Sequence, residues 1–231
     1  REEDSMSRFI TAALGAALVV AATGSAAAQG FPEPGSANPA GVAISAFYNF
    51  AKRNIVESAE KMPADQYGYQ PVKDVRTFGQ ILGHVIDAQY LFCSSAKNVP
   101  NPNGKDLKVG EPSDTIEKTK TTKAELTAAL NDMFAYCDPV FTGIVDAGLG
   151  ESVTLVGNAR PKSVPIQLGV VHLWEHYGNL TTYLRERGIV PPSTERNQRP
   201  PAPSSPAPAP NKPETPPAGQ AKPAKPPRQG S

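Results

Sequence analysis

Apolar side chains recur every three to four residues in four stretches of the chain, and helix start and stop signals bracket each stretch. The first opens at Asn38-Pro39, an N-cap followed by Pro at the first helical position. Val42, Ala46, Phe47, Phe50 and Ile55 lie on or near one stripe of this helix, which runs to about Lys61. Met62-Pro63 ends it, and Tyr67-Gly68-Tyr69-Gln70-Pro71 reads as an ordered connection. The capping box Thr77-x-x-Gln80 opens a second helix that reaches about Ala96. Another capping box, Thr122-x-x-Glu125, opens the third, where Leu126, Leu130, Met133 or Phe134, Cys137, Val140 or Phe141 and Ile144 keep helical spacing. Pro139 removes one backbone hydrogen bond and should kink or split this helix, and Gly148 and Gly150 stop it. Ser163 is placed to cap the fourth helix, Pro165 falls in its first turn, and Arg187-Gly188 closes it.

The connections carry weaker patterns. Asn98–Thr121 is rich in Pro and Gly and reads as a loop too polar for the core. Ser152–Val156 followed by Gly157-Asn158 is the best strand-turn candidate, and predicts a small hairpin or extended loop across residues 151–163. Four helices of roughly 20 residues with no strand-rich segment predict an all-α fold, a four-helix bundle with one long connection spanning residues 38–190. That is enough chain for one well-buried core.

Both ends differ from this middle. Met6-Ser7-Arg8 precedes an apolar run, Phe9–Ala22, and Ala26 and Ala28 have the spacing that a signal peptidase accepts. Residues 6–28 therefore read as a cleaved secretory signal, with residues 1–5 an upstream extension outside that pattern. The run falls short of the ~20 apolar residues that a membrane span needs, so no stable span is expected. From Pro191 to the end, Pro, Ala, Lys, Gln and Ser replace large apolar side chains. Residues 191–231 are expected to be a disordered, mildly basic tail that could contact the cell envelope. The localisation expected is periplasmic or secreted. The chain as a whole carries a net charge of +1 with no basic stripe on any helix, which excludes a nucleic-acid binder. A homodimer is compatible with this reading.

Export changes how the two cysteines are read. Cys93 lies on the second helix and Cys137 on the third, and in an oxidising compartment an even pair favours a disulfide over two buried free thiols. Cys93 follows His84 by nine residues, which turns it to the far side of the helix and ~13 Å along its axis, away from any site at His84.

The chain has three histidines, and all of them fall on predicted helices. His172 and His176 are spaced i, i+4 on the fourth, which stacks two imidazoles on one face. His84 lies on the second and can face them across the bundle. Three neutral imidazoles with an open fourth position form a catalytic type of zinc site, although a lone His-x-x-x-His pair also arises by chance. His172-Leu-Trp-Glu175-His176 spells the inverted zinc-protease pattern too, but that class needs a carboxylate ligand well downstream, where this helix ends. Asp87, one turn beyond His84, and Glu175 are the weak candidates for orienting a ligand ring or acting as general base. Solvated or helix-pairing carboxylates are the plainer alternative for both. Tyr90, Trp174 and Tyr177 read as packing residues.

Thr77-Phe-Gly-Gln-Ile-Leu-Gly-His84-Val-Ile-Asp-Ala-Gln89 and Val171-His172-Leu-Trp-Glu-His176-Tyr-Gly-Asn-Leu180 together resemble the DinB-like metal-binding bundles. The resemblance covers about Ala40 to Val190 and rests on the order and helix placement of short motifs. It implies that His84, His172 and His176 bind one divalent metal ion, zinc or nickel. Characterised members of that family include thiol-dependent isomerases and transferases, whose co-substrates are mainly cytosolic. An exported member is therefore expected to be a metal-dependent hydrolase acting on a small molecule. The alternatives are a non-catalytic metal- or ligand-binding envelope protein and a thiol-dependent S-transferase or isomerase.

Overall fold

In the computed structural model, which describes residues 30–103 and 116–198, the helices are α1 (Pro39–Lys61), α2 (Phe78–Lys97), α3 (Ile116–Thr119), α4 (Lys123–Thr142), α5 (Ser163–Glu186) and α6 (Pro192–Gln198). A hairpin, β1 (Ser152–Leu155) and β2 (Asn158–Pro161), lies between α4 and α5. The signal expected at residues 6–28, the extension expected before it and the part of the expected tail after residue 198 lie outside the described residues. Among the described residues no helix is long and apolar enough to cross a membrane.

Both capping boxes form. Thr77 Oγ1 accepts from the Gln80 N–H at 3.1 Å while Gln80 Oε1 accepts from the Thr77 N–H at 2.8 Å, and Thr122 and Glu125 repeat the exchange at the start of α4. Asn38 behaves differently from expectation. Its side chain bridges the Ile144 carbonyl and the Asp146 N–H, at 2.7 and 2.6 Å, and makes no cap bond to its own helix. The carboxylate of Asp146 instead accepts from the N–H groups of Ala40 and Gly41, so a distant acid caps α1 and ties it to the end of α4. Ser163 likewise makes no cap bond and is simply the first residue of α5.

Direct contacts fix the helix directions. Lys123 Nζ donates to the carbonyls of Glu60 and Met62, which sets the start of α4 beside the end of α1. Tyr183 Oη donates to the Arg76 carbonyl, which sets the end of α5 beside the start of α2. The bundle thus runs up, down, down, up, and the long connection from α2 to α4 carries the chain back along its length. In section, α2 lies between α4 and α5, and α1 completes the square by touching both. Tyr48, Phe78, Leu82, Phe134, Leu173 and Leu180 fill the centre, with Tyr48 stacked on Phe141 at 3.8 Å. Pro139 does not split α4, which continues through it to Thr142.

Three connections depart from the sequence reading. The polar loop after α2 is not wholly outside the core: Ile116–Thr119 forms a helical turn, α3, against α2, and Glu117 is buried there. Gly83 makes this approach achievable, because a Cβ at that position would come within 2.5 Å of the Glu117 Cα. The hairpin forms, but its turn is centred on Val156 and Gly157, both with positive φ, one residue earlier than Gly157-Asn158. The tail does not begin at Pro191. Residues 192–198 form α6, with Pro192 buried, Ser193 bonded to the Tyr177 hydroxyl at 2.6 Å, and Arg196 bonded to Glu57 and Asn54. Polar partners on α1 and α5 hold this segment, a driving force that composition alone does not reveal.

Cys93 and Cys137 form a disulfide between α2 and α4, with Cα atoms 5.5 Å apart and a sequence separation of 44. Closing a loop of that length stabilises the fold by about 4 kcal/mol in the chain-entropy model. The Cys93→Ala/Cys137→Ala double variant should therefore lose stability on that scale in guanidinium unfolding, and an unchanged midpoint would count against the bond's contribution. Truncation separates α6 from the residues beyond it. Ending the chain after Gln198 should leave the melting temperature in place, whereas ending it after Val190 should lower it by a few degrees, for a loss of about 1–2 kcal/mol.

Candidate metal centre

The facing of α2 and α5 follows from one buried hydrogen bond. Gln89 Nε2 donates to the Gly169 carbonyl at 2.7 Å, and the absence of a Cβ on Gly169 leaves room for the amide. The helices run antiparallel, so residues before Gln89 climb beside residues after Gly169. At a rise of 1.5 Å per residue, His84 stands about 7.5 Å above this bond, midway between His172 at about 4.5 Å and His176 at about 10.5 Å. His84 therefore faces the gap between the two rings of the pair.

They meet through their Nε2 atoms. His172 Nε2 lies 3.1 Å from His84 Nε2 and 3.1 Å from His176 Nε2, and one ligand atom from each ring falls within 4.8 Å of the others. These spacings fit a shared cation. Bonds of about 2.0–2.1 Å place two nitrogens about 2.9 Å apart at octahedral angles and about 3.3 Å apart at tetrahedral ones. The rings satisfy one another poorly without one. An imidazole nitrogen offers either one proton or one lone pair in the ring plane, so His172 Nε2 cannot make two good hydrogen bonds there. The donor set is three neutral nitrogens, and among the described residues no Asp, Glu or Cys joins the cluster.

Each ring is held differently at its other nitrogen. His84 Nδ1 is 3.4 Å from Glu117 Oε2 and 3.4 Å from Arg76 Nη2. His176 Nδ1 is 3.2 Å from the Asn179 side-chain amide. His172 Nδ1 is buried without a hydrogen-bond partner among the described residues, and packing against Phe92, with ring centres 5.7 Å apart, holds that ring. Burial pushes the His172 ring down to about 3, with the charges of His176, His84 and Arg76 adding to it. His176 is pushed down to about 4 by burial and then by His84 and Arg76. Both are thus neutral, as metal coordination requires. For Glu117, burial pushes the carboxyl up, but the neighbouring His84, the hydrogen bond from Arg76 and the Arg76 charge outweigh it and hold it below the ordinary carboxyl value.

The two carboxylates singled out in the sequence lie elsewhere. Asp87 is fully buried and points at α3: its oxygens accept from the N–H groups of Ile116 and Glu117 at 3.0–3.1 Å and from the Asn103 amide at 3.2 Å. It anchors the long connection to α2 and does not reach the rings. Glu175 is exposed on α5 and stands outside the cluster. Glu117, Arg76 and Asn179 are the neighbours that sequence reasoning missed. Asn179, three residues after His176, was legible in principle from i, i+3 spacing; Glu117 was not, because a connection between helices has no periodicity to read.

A cleft of about 660 Å³ opens beside the rings, lined by His176, Glu117, Arg76, Lys73, Gln80 and Asn179 among others. Its wall is mixed in charge and rich in hydrogen-bonding groups. Of the three rings His176 lines this cleft, and the His84 side chain is 21% exposed.

Neutral buried imidazoles couple folding to pH. His172 and His176 titrate near 6.5 when unfolded and far lower when folded, so their contribution is present above about pH 6.5 and lost as pH falls toward 4. Urea unfolding of the metal-stripped protein should show stability falling across that window with a slope approaching two protons. The His172→Leu/His176→Leu variant should flatten it; an equal slope in both proteins would refute the burial of neutral rings.

Comparison with known proteins gives the family of the fold. A curated relative, the uncharacterized protein YjoA of Bacillus subtilis strain 168, is 25% identical over 140 residues, covering 59% of this chain and 84% of its own. A DinB-like protein of Bacillus cereus ATCC 10987 superposes with a TM-score of 0.50 at 14% identity, over 64% of this chain and 95% of that one. The crystal structure of the DinB-like YjoA from Bacillus subtilis gives 0.49 at 19%, over 64% and 93%. At such identities the structural likeness speaks to the fold alone. The family model of the DinB superfamily matches residues 48–180, more than half the chain and from α1 through both halves of the histidine cluster, and the chain belongs to that superfamily.

Proposed function

We propose that this is an exported metal-dependent enzyme in which His84, His172 and His176 hold one divalent cation, zinc or nickel, and a small molecule bound in the adjoining cleft is hydrolysed. One observation carries the reading: three Nε2 atoms converge, with no fourth protein donor among the described residues, and one of the three rings, His176, lines a cleft open to solvent. A closed four-ligand site would have favoured a structural ion. When bound, the cation supplies Lewis-acid chemistry toward a substrate oxygen or a water. The chain's own residues supply the rest. Arg76, Lys73, Gln80 and Asn179 offer hydrogen-bond donors along the wall, which suits a polar substrate better than an apolar one. Export is supported by the disulfide between α2 and α4, a feature of oxidising compartments.

Protein purified from an oxidising compartment should contain close to one equivalent of zinc or nickel by elemental analysis, and His172→Ala should contain almost none. Wild type should also hydrolyse at least one member of a panel of small polar esters, amides and lactones, with loss of activity in chelator and recovery on adding metal. Equal metal content in wild type and variant would rule out the site; full metal with no hydrolysis would favour a non-catalytic binding protein.

A further inference from the structure

We propose that Glu117 is a positioning residue: delivered by the long connection between α2 and α4, its carboxylate fixes the tautomer of His84 so that the Nε2 lone pair faces His172 and His176. The proposal rests on the reading of those three rings as metal ligands. Glu117 Oε1 accepts from Arg76 Nε at 2.8 Å, whereas Oε2 is buried and has no other hydrogen-bond partner among the described residues. The one ring nitrogen beside Oε2 is His84 Nδ1, at 3.4 Å. A proton on Nδ1 satisfies this oxygen and leaves Nε2 as a lone pair. A proton on Nε2 instead sets two lone pairs against each other at Nδ1 and blocks the point where the rings meet.

Arg76 pulls the other way, because its Nη2 lies 3.4 Å from the same Nδ1 and would donate to a lone pair there. The carboxylate prevails. Arg76 already has Glu117 Oε1 as a partner and is 38% exposed, so water can serve its remaining N–H groups, while Glu117 is 9% exposed and its second oxygen has no other partner among the described residues. An orphaned buried charge costs more than an unfilled donor at the surface. Glu117 acts from behind the ring, on the Nδ1 side, and so supports the ligand without being one.

The position is built. Asp87, wholly buried, accepts from the backbone N–H groups of Ile116 and Glu117, and Gly83 lets the turn press directly on α2. His84 and Asp87 are one turn apart on the same helix, so the turn that carries Glu117 is registered against the ring it supports.

The test uses the full chain, metal-free, at pH 8. Long-range proton–nitrogen spectra of its three histidines should report His84 as the Nδ1–H tautomer. In Glu117→Gln, whose carboxamide can donate to Nδ1 alongside Arg76, His84 should shift to Nε2–H, and zinc affinity in a chromophoric chelator competition should fall by about ten- to a hundredfold. Thermal unfolding checks that the variant is folded; should it not fold, the wild-type spectrum alone decides. An Nε2–H proton on His84 in wild type overturns the proposal. So does an unchanged tautomer in Glu117→Gln, even with weaker zinc binding, since that pattern marks a general structural role. If wild type takes up no zinc, the proposed function fails while the tautomer measurement still judges this inference.

Discussion

The hydrogen bond from Gln89 to the Gly169 carbonyl sets where α2 stands along α5, and the placement of the histidines depends on it. A slip of one residue in either helix moves a ring by about 1.5 Å along the axis and 100° around it, enough to turn a converging nitrogen away from its partners. Apolar packing alone tolerates small slips, because methyl and phenyl groups interdigitate almost equally well at nearby settings. A buried amide does not, since the alternative is two unsatisfied polar groups in the core. Gly169 adds a steric condition, because a side chain there would meet both Gln89 and Phe141. The bundle therefore carries a polar bond in its interior for alignment more than for net stability.

From that alignment the supporting groups follow unevenly. His176 takes its support from its own helix, through Asn179, and His172 from the packing of Phe92. His84 takes it from a different part of the chain, Glu117 on the connection between α2 and α4. That connection is long because α2 and α4 run the same way, so the chain must travel the length of the bundle between them. The return passes the histidines, and Asp87 fastens it there through two backbone N–H groups. A topological requirement of the bundle thus becomes the source of a buried carboxylate beside the site.

How much of this was legible in the sequence depended on whether the signal was local. Thr77/Gln80 and Thr122/Glu125 announced their helices because a capping box involves residues three apart, and the i, i+4 pair His172 and His176 was visible for the same reason. His84 joined them because it falls on a neighbouring helix that can face the pair, and family resemblance then implied the set. The pairing of Cys93 with Cys137 was readable once export was inferred, since only two cysteines were available. Asn38 misled, because a residue with the right chemistry at the right place was displaced by Asp146 from beyond the far end of α4. Asp87 misled in the same way: proximity to His84 on one helix suggested a role at the ring, while its partners lie in a connection whose path no periodicity reveals. Where a polar group's partner is distant in sequence, composition and spacing carry no information about it.

The devices that stabilise the bundle and those that shape the site occupy different heights, and this separation bears on binding. Asp146 and the hairpin act at the lower end, and the disulfide joins α2 to α4 about 13 Å from His84 along the helix. Between that covalent tie and the rings stands the Gln89 amide. Helix α2 is therefore held below the site by a bond that does not yield to thermal fluctuation, and its upper half need only keep its own backbone hydrogen bonds to present His84 correctly. With little ordering left to be done, a cation shared by the three rings would lose little of its coordination energy to organising them.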